Sequence, residues 1–220
     1  MNTLVQILVL LGIAVFLILR LRSVLGTREG FEKPPLTEAP DAPARRTRPE
    51  FDVIEGGPDR DITDHVEDGS DSAKALAAMK MAEPGFSVSE FLEGARGAYE
   101  MILMAFENGD LDPVKSFLAP EVYETLQSVI DQRADQGLVV EADFVGVREV
   151  ALKEAAFDRS TSEGDVTVRF VGEMTSVVRN LEGEVVEGNP TEIKRQKDVW
   201  TFSRKMGADD PNWQLVATGG

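Results

Sequence analysis

The chain of 220 residues holds no cysteine, which excludes disulfides, thiolate zinc sites and thiol chemistry. Its formal net charge is −16 at pH 7, a sign that repels nucleic-acid phosphates and anionic headgroups and attracts basic partners. The charge is uneven, with +3 over residues 1–28, −8 over 29–71 and −11 over 72–220.

The first element is an uncharged run, LVQILVLLGIAVFLIL, from Leu4 to Leu19. It is just shorter than the ~17–25 residues that span a bilayer, and Leu21, Val24 and Leu25 extend it while Arg20 snorkels to the headgroups. No charge precedes Leu4, and Arg20, Arg22 and Arg28 follow the run. Arginines on that flank hold it on the cytoplasmic side. The flanks predict a single-pass anchor over residues 1–25 with the rest of the chain in the cytoplasm. A cleaved signal would carry its positive charge ahead of the apolar run, and Arg20-Leu21-Arg22-Ser23 is a poor cleavage site. A buried core helix would show a polar face, which only Gln6 and Gly12 supply here.

Residues 26–85 read as a disordered acidic linker. Pro34, Pro35, Pro40, Pro43, Pro49 and Pro58 break regular structure, and apolar residues are too sparse to form a core. As a flexible chain it reaches about 40 Å. Arg45, Arg46 and Arg48 are fewer than the ~4–8 charges of a lipid-binding patch and read as charge balance. Residues 72–82, SAKALAAMKMA, have helix propensity, with Met79 and Met81 free to pack on the domain or on a partner.

A folded domain is expected over residues 86–220. Ser87 and Glu90 form a capping box, and Phe86 and Phe91 a hydrophobic staple. Phe91, Ala95, Tyr99, Ile102 and Phe106 recur at helical spacing until Asn108-Gly109 stops the helix. Asp112-Pro113 opens a short helix to Leu118. Pro120 opens a third, with Val122, Tyr123, Leu126 and Ile130 as its stripe and Gly137 as its end. The period then becomes two: Val140, Ala142 and Phe144 alternate with polar residues, and Gly146 marks a bulge. Val166, Val168, Phe170 and Met174 share one face of the next strand. Trp200 and Phe202 share a face of the third, and Trp213, Leu215 and Ala217 form a short fourth. About three helices followed by about four antiparallel strands predict an α+β roll of the cystatin-like or nuclear-transport-factor-like kind, its curved sheet covered on one side.

No pattern specific for catalysis is present. His65, the single histidine, falls in the linker, where nothing holds the geometry a general base needs. Asp209-Asp210 before Pro211 reads as turn chemistry rather than a cation site. An isomerase on this architecture would need a carboxylate and a tyrosine in an apolar pocket, for which Tyr99, Tyr123 and Asp143 are the candidates. The expected catalytic, metal and cofactor sets are empty. The candidate lining of an apolar pocket or groove is Phe91, Tyr99, Phe106, Tyr123, Phe144, Phe170, Trp200 and Phe202.

Four segments carry a resemblance. Asn108-Gly109-Asp110, Leu118-Ala-Pro-Glu-Val-Tyr123, and Asp198-Val-Trp200-Thr-Phe202 with Asp210-Pro-Asn-Trp213 resemble the Tim-forty-four-like family, nearest its alphaproteobacterial TimA-type members. The resemblance covers roughly Phe86 to Gly220. It implies an α+β roll with an apolar pocket and a non-enzymatic adaptor at the bacterial inner membrane, concerned with protein translocation or membrane-protein handling. The partners it implies are a chaperone or client chain, or a lipid, and no nucleic acid. A tethered isomerase-like enzyme and a lipid carrier are the alternative uses of the same pocket. Mitochondrial members attach through amphipathic helices ahead of the core, a part that only residues 72–82 could play here.

Overall fold

The computed structural model describes residues 58–219. The anchor expected from Leu4 to Leu19, with Arg20 and Arg22, lies outside them, as does the linker up to residue 57. Among the described residues no helix is long and apolar enough to cross a membrane.

The described chain runs α1 (Arg60–Thr63), α2 (Asp71–Ala82), α3 (Val88–Glu107), a 3-10 turn (Asp112–Phe117), α4 (Pro120–Asp135), then β1 (Val139–Asp158), β2 (Glu163–Arg179), β3 (Val185–Lys205) and β4 (Gln214–Gly219). The strands form one antiparallel meander in the order β1-β2-β3-β4. Helices on a four-stranded antiparallel sheet make the fold α+β, as the change of period predicts.

The expected linker is where the structure departs most from the sequence reading. Residues 60–63 and 71–82 are helical, and Ile62, Ala73, Leu76 and Met79 belong to the core. Leu76 and Met79 are fully buried while Met81 is 82 % exposed. Of the two methionines predicted to pack, one enters the domain and the other faces out. The folded unit therefore takes in residues 59–85 rather than starting at Phe86. The Ser72 hydroxyl also accepts the Ala155 N–H (3.1 Å), and Arg96 donates to the Val147 carbonyl (3.3 Å), so both cover polar groups of the edge strand β1.

The start of α3 shows why. Ser87 caps it by accepting from Glu90 N (3.3 Å), and Phe86 and Phe91 meet at 6.4 Å as the staple predicts. The remaining free N–H groups are satisfied from outside the helix. The Asp61 carboxylate accepts from Val88 N (2.8 Å) and Ser89 N (2.9 Å), and Lys80 Nζ lies 2.7 and 2.8 Å from Asp59 and Asp61. Burial works against the Asp61 charge, but the hydrogen bonds from Lys80, Ser89 and Val88 prevail and hold its pKa well below the usual carboxylate range. A depressed pKa gives stability present above the unfolded-state value, about 4, and lost as pH falls below it. Asp61→Asn is expected to cost about 1–3 kcal/mol at pH 7 and to flatten the acid side of the stability curve, as thermal melts at pH 7, 5 and 3 will show.

At its other end α3 stops at Gly109, whose φ of 72° suits glycine. The turn that follows is 3-10 rather than α-helical, its N-cap is Leu111 rather than Asp112, and Asp110 accepts the Asp112 N–H (3.2 Å) in the turn that leads into it.

The core is the inner sheet face against α2 and α3. Val166, Val168 and Phe170 are fully buried and Met174 nearly so, and the opposite face carries polar pairs. Thr167 and Thr201 hydroxyls meet at 2.9 Å, Arg195 donates to Glu173 at 2.8 Å, and Arg169 pairs with Glu149. The expected bulge at Gly146 is present as a register shift after Phe144. Tyr99 stacks on Phe170 with centroids 4.5 Å apart and leaves no room above β2: a Cβ on Gly172 would lie 2.7 Å from the Tyr99 hydroxyl. Gly172→Ala is expected to destabilise the domain by about 1–3 kcal/mol in denaturant unfolding, and Gly172→Ala/Tyr99→Leu to recover part of that loss.

Candidate functional site

The first turns of α3, the end of β3 and the 208–213 loop enclose an apolar groove of about 350 Å³. From α3 come Phe91, Gly94, Ala98 and Met101; from β3, Phe202 and Arg204; from the loop, Pro211 and Trp213; Phe86 and Phe117 complete the wall. The volume is within the small-ligand range of about 300–1,000 Å³, at its lower end. The aromatic rings are held against one another: Trp213 lies 4.7 Å from Phe91 and 5.8 Å from Phe86. Met101, 48 % exposed, offers an unbranched apolar side chain that can adapt to an occupant.

The polar part of the groove is Glu83, Glu90 and Arg204. The Arg204 guanidinium lies over Trp213 at 5.3 Å, and its Nη2 donates to both Glu83 oxygens at 2.7 Å. Arg204 Nε is buried without a hydrogen-bond partner. The hydrogen bond from Arg204, against the cost of burial and with further help from Gly207 N–H, holds the Glu83 carboxyl below its usual range. Glu83 therefore stays ionised, which is the opposite of what a general acid or base working near neutral pH requires. Asp209 and Asp210 are exposed in the same loop, outside the groove lining. Asp210 accepts from Asn212 N and Nδ2 (2.9 Å each), which is the expected turn chemistry. Among the described residues no group of three or more His, Asp or Glu is arranged to hold a metal ion.

The predicted pocket residues divide among four places. Phe91 and Phe202 line the groove. Tyr99, Phe170 and Trp200 form a buried aromatic cluster, with Phe144 at its margin, 6.3 Å from Tyr99. Phe106 lies under Arg133 (4.3 Å) in a second cleft of about 250 Å³, and Tyr123 under Lys115 (4.8 Å). The three residues considered for an isomerase are not assembled. Tyr99 is fully buried and donates its hydroxyl to Asp198 at 2.6 Å. Burial first, then that carboxylate, push its phenol well above the usual range. Asp143 faces solvent on β1. His65 touches only the Ser89 hydroxyl at the start of α3 (3.2 Å).

Sequence reasoning missed Phe86, Met101, Arg204 and Trp213 as groove residues. Trp213 carried a usable signal, since it follows Asp-Asp-Pro-Asn and so sits in a turn rather than on the buried face of a strand. Arg204 carried none, because its partner Glu83 is 121 residues away.

A family model described as "Tim44-like domain" matches residues 72–220, beginning within α2. A human protein named mitochondrial import inner membrane translocase subunit TIM44 is 27 % identical over 168 residues, covering 71 % of this chain and 36 % of its own length. TIM44-1 of Arabidopsis thaliana is 21 % identical over 153 residues, covering 66 % of this chain and 32 % of its own. The match thus spans about a third of these relatives. Among solved structures, the intermembrane space region of the chloroplast protein ARC6 superposes with a TM-score of 0.39 and 9 % identity, over 58 % of this chain and 94 % of that one. That superposition is too loose to argue from.

Proposed function

Because the chain belongs to the Tim44-like domain family, we propose that it is a non-enzymatic, membrane-associated adaptor in protein translocation, which docks a basic, apolar protein segment in the groove beside Trp213. The observation that carries this reading is the groove itself: aromatic walls, an exposed Met101, and Glu90 beside the Glu83–Arg204 pair, in a chain whose net charge of −16 attracts basic partners. Its relatives are named as translocase subunits of an inner membrane, and the net charge of −16 repels nucleic acid. The ionised Glu83 in the groove argues against the isomerase reading, which needs a carboxyl of raised pKa there.

The finer parts of the proposal are these. The chain is of the alphaproteobacterial TimA type, its Leu4–Leu19 run anchors it once in the bacterial inner membrane, and Arg20 and Arg22 keep the domain in the cytoplasm. The occupant is a client chain or a chaperone segment. A photoreactive residue at Met101 of the full chain in its native membrane will crosslink to translocating or membrane proteins, whereas one at Lys153 on β1 will not. Equal crosslinking from both positions, or crosslinks to lipid alone, would overturn the reading. Alkaline extraction tests the anchor: the full chain stays with the membrane, and release into the supernatant contradicts it.

A further inference from the structure

We propose that Asp59–Glu83 is a strap that holds the groove narrow, and that releasing it widens the groove and strengthens its grip on an occupant. The inference rests on the reading of the groove as the docking site.

The two ends of the strap each hold a different wall. At one end the Asp61 carboxylate accepts from Val88 N, Ser89 N and the Ser87 hydroxyl (2.8, 2.9 and 3.2 Å), which fixes the first turn of α3 just before Glu90, Phe91 and Gly94 enter the groove. At the other end Glu83 accepts from Arg204 and from Gly207 N (2.8 Å). That fixes the end of β3 and the start of the loop that carries Trp213. The Arg204 side chain is 8 % exposed and its Nε has no partner; beside a weak contact of Nη2 with Met206 Sδ (3.8 Å), the charged contact that positions it over Trp213 is the one from the strap. Lys80 joins the two ends, because it sits on α2 and binds both Asp59 and Asp61. Breaking the polar contacts at one end therefore loosens the other through Lys80, while Leu76 and Met79 stay in the core.

The size of the groove gives the device its sense. About 350 Å³ takes a few side chains, while a helix is ~10–12 Å across. Such an occupant seats the side chains of one face in the groove and gains contact when the groove widens, so its apparent affinity rises with the population of the wider form. The two ends of the strap are held by ionic and polar contacts, while Ile62, Ala73, Leu76 and Met79 between them are buried in the core. The ends, held by polar contacts rather than by packing, are the parts that open before the core does.

The test is hydrogen exchange on the full chain carrying Glu83→Gln. Glu83 does not touch Val88–Phe91, so those amides report coupling through the strap. They are expected to exchange roughly tenfold or more faster than in the wild type, the scale of losing a charged hydrogen bond. Faster exchange confined to α2 and Gly207 would overturn the proposal. Should this variant fold poorly because Arg204 is left unpaired, Asp61→Asn asks the same from the other end, with faster exchange expected over Met206–Trp213. A labelled amphipathic peptide of Leu and Lys, followed by anisotropy, supplies the second arm. Asp61→Asn, which leaves the groove's own lining unchanged, should bind it about threefold or more tightly than the wild type, because the cost of opening is reduced, and equal or weaker binding counts against the strap. A spread of faster exchange with no peptide binding in any form would leave the strap standing and remove the docking reading instead.

Discussion

A fragment of residues 86–220 will be several kcal/mol less stable than one of residues 58–220, and will self-associate. The first would be the whole domain if residues 59–85 were linker. In the structure they supply Leu76 and Met79, both fully buried, together with Ile62 and Ala73. Burial of a Leu- or Met-sized side chain is worth about 1.5–3 kcal/mol. Total stabilities are about 5–15 kcal/mol, so losing two such side chains and the Asp61 cap is a large share. The fragment would also uncover the apolar sheet under α2 and the Ala155 N–H that Ser72 accepts from, leaving an edge open to pairing. Denaturant melts and sedimentation of the two fragments check this. Equal midpoints would mean that α1 and α2 rest on the domain without contributing to it. Leu76→Ala in the full chain is the milder version, with an expected loss of about 2–5 kcal/mol.

Trp213→Ala will weaken binding of a basic, apolar peptide by about tenfold or more while leaving the fold largely intact. Tryptophans packed in pockets commonly contribute ~2 kcal/mol or more to an interface. Trp213 is half-buried and lies just before β4, where it touches Phe86, Phe91 and Arg204. Trp200 is the control. It is buried in the cluster with Tyr99 and Phe170, so Trp200→Ala should lower stability by about 3–5 kcal/mol and impair binding only through unfolding. Binding should also weaken with salt, because the chain's net negative charge attracts the peptide's charge. Affinity unchanged by Trp213→Ala would place the docking surface elsewhere.

What could be read in advance follows the reach of each interaction. The cap at Ser87, the staple of Phe86 on Phe91, the stop at Gly109 and the alternation of Val166, Val168 and Phe170 all act within a few residues, and each stands in the structure as its spacing implies. The role of residues 59–85 was hidden because their contacts are distant. Asp61 caps a helix 27 residues on, Ser72 meets β1, and Glu83 meets β3. Local composition there is acidic and turn-rich, which is what a tether also looks like. The groove was half legible for a related reason. Aromatic faces give the core directly, but which ring meets solvent depends on where the 208–213 loop closes against α3. Tyr99 and Phe170 thus joined the interior, while Trp213 became the wall.

The direct test of groove docking uses the two tryptophans of the chain. With Trp200→Phe, Trp213 becomes the sole emitter, and titration of the full-length chain with the amphipathic Leu/Lys peptide will shift and saturate its emission, with a midpoint that rises with salt. Emission that stays constant while the peptide binds, or no binding at all at low salt, would contradict docking at this site.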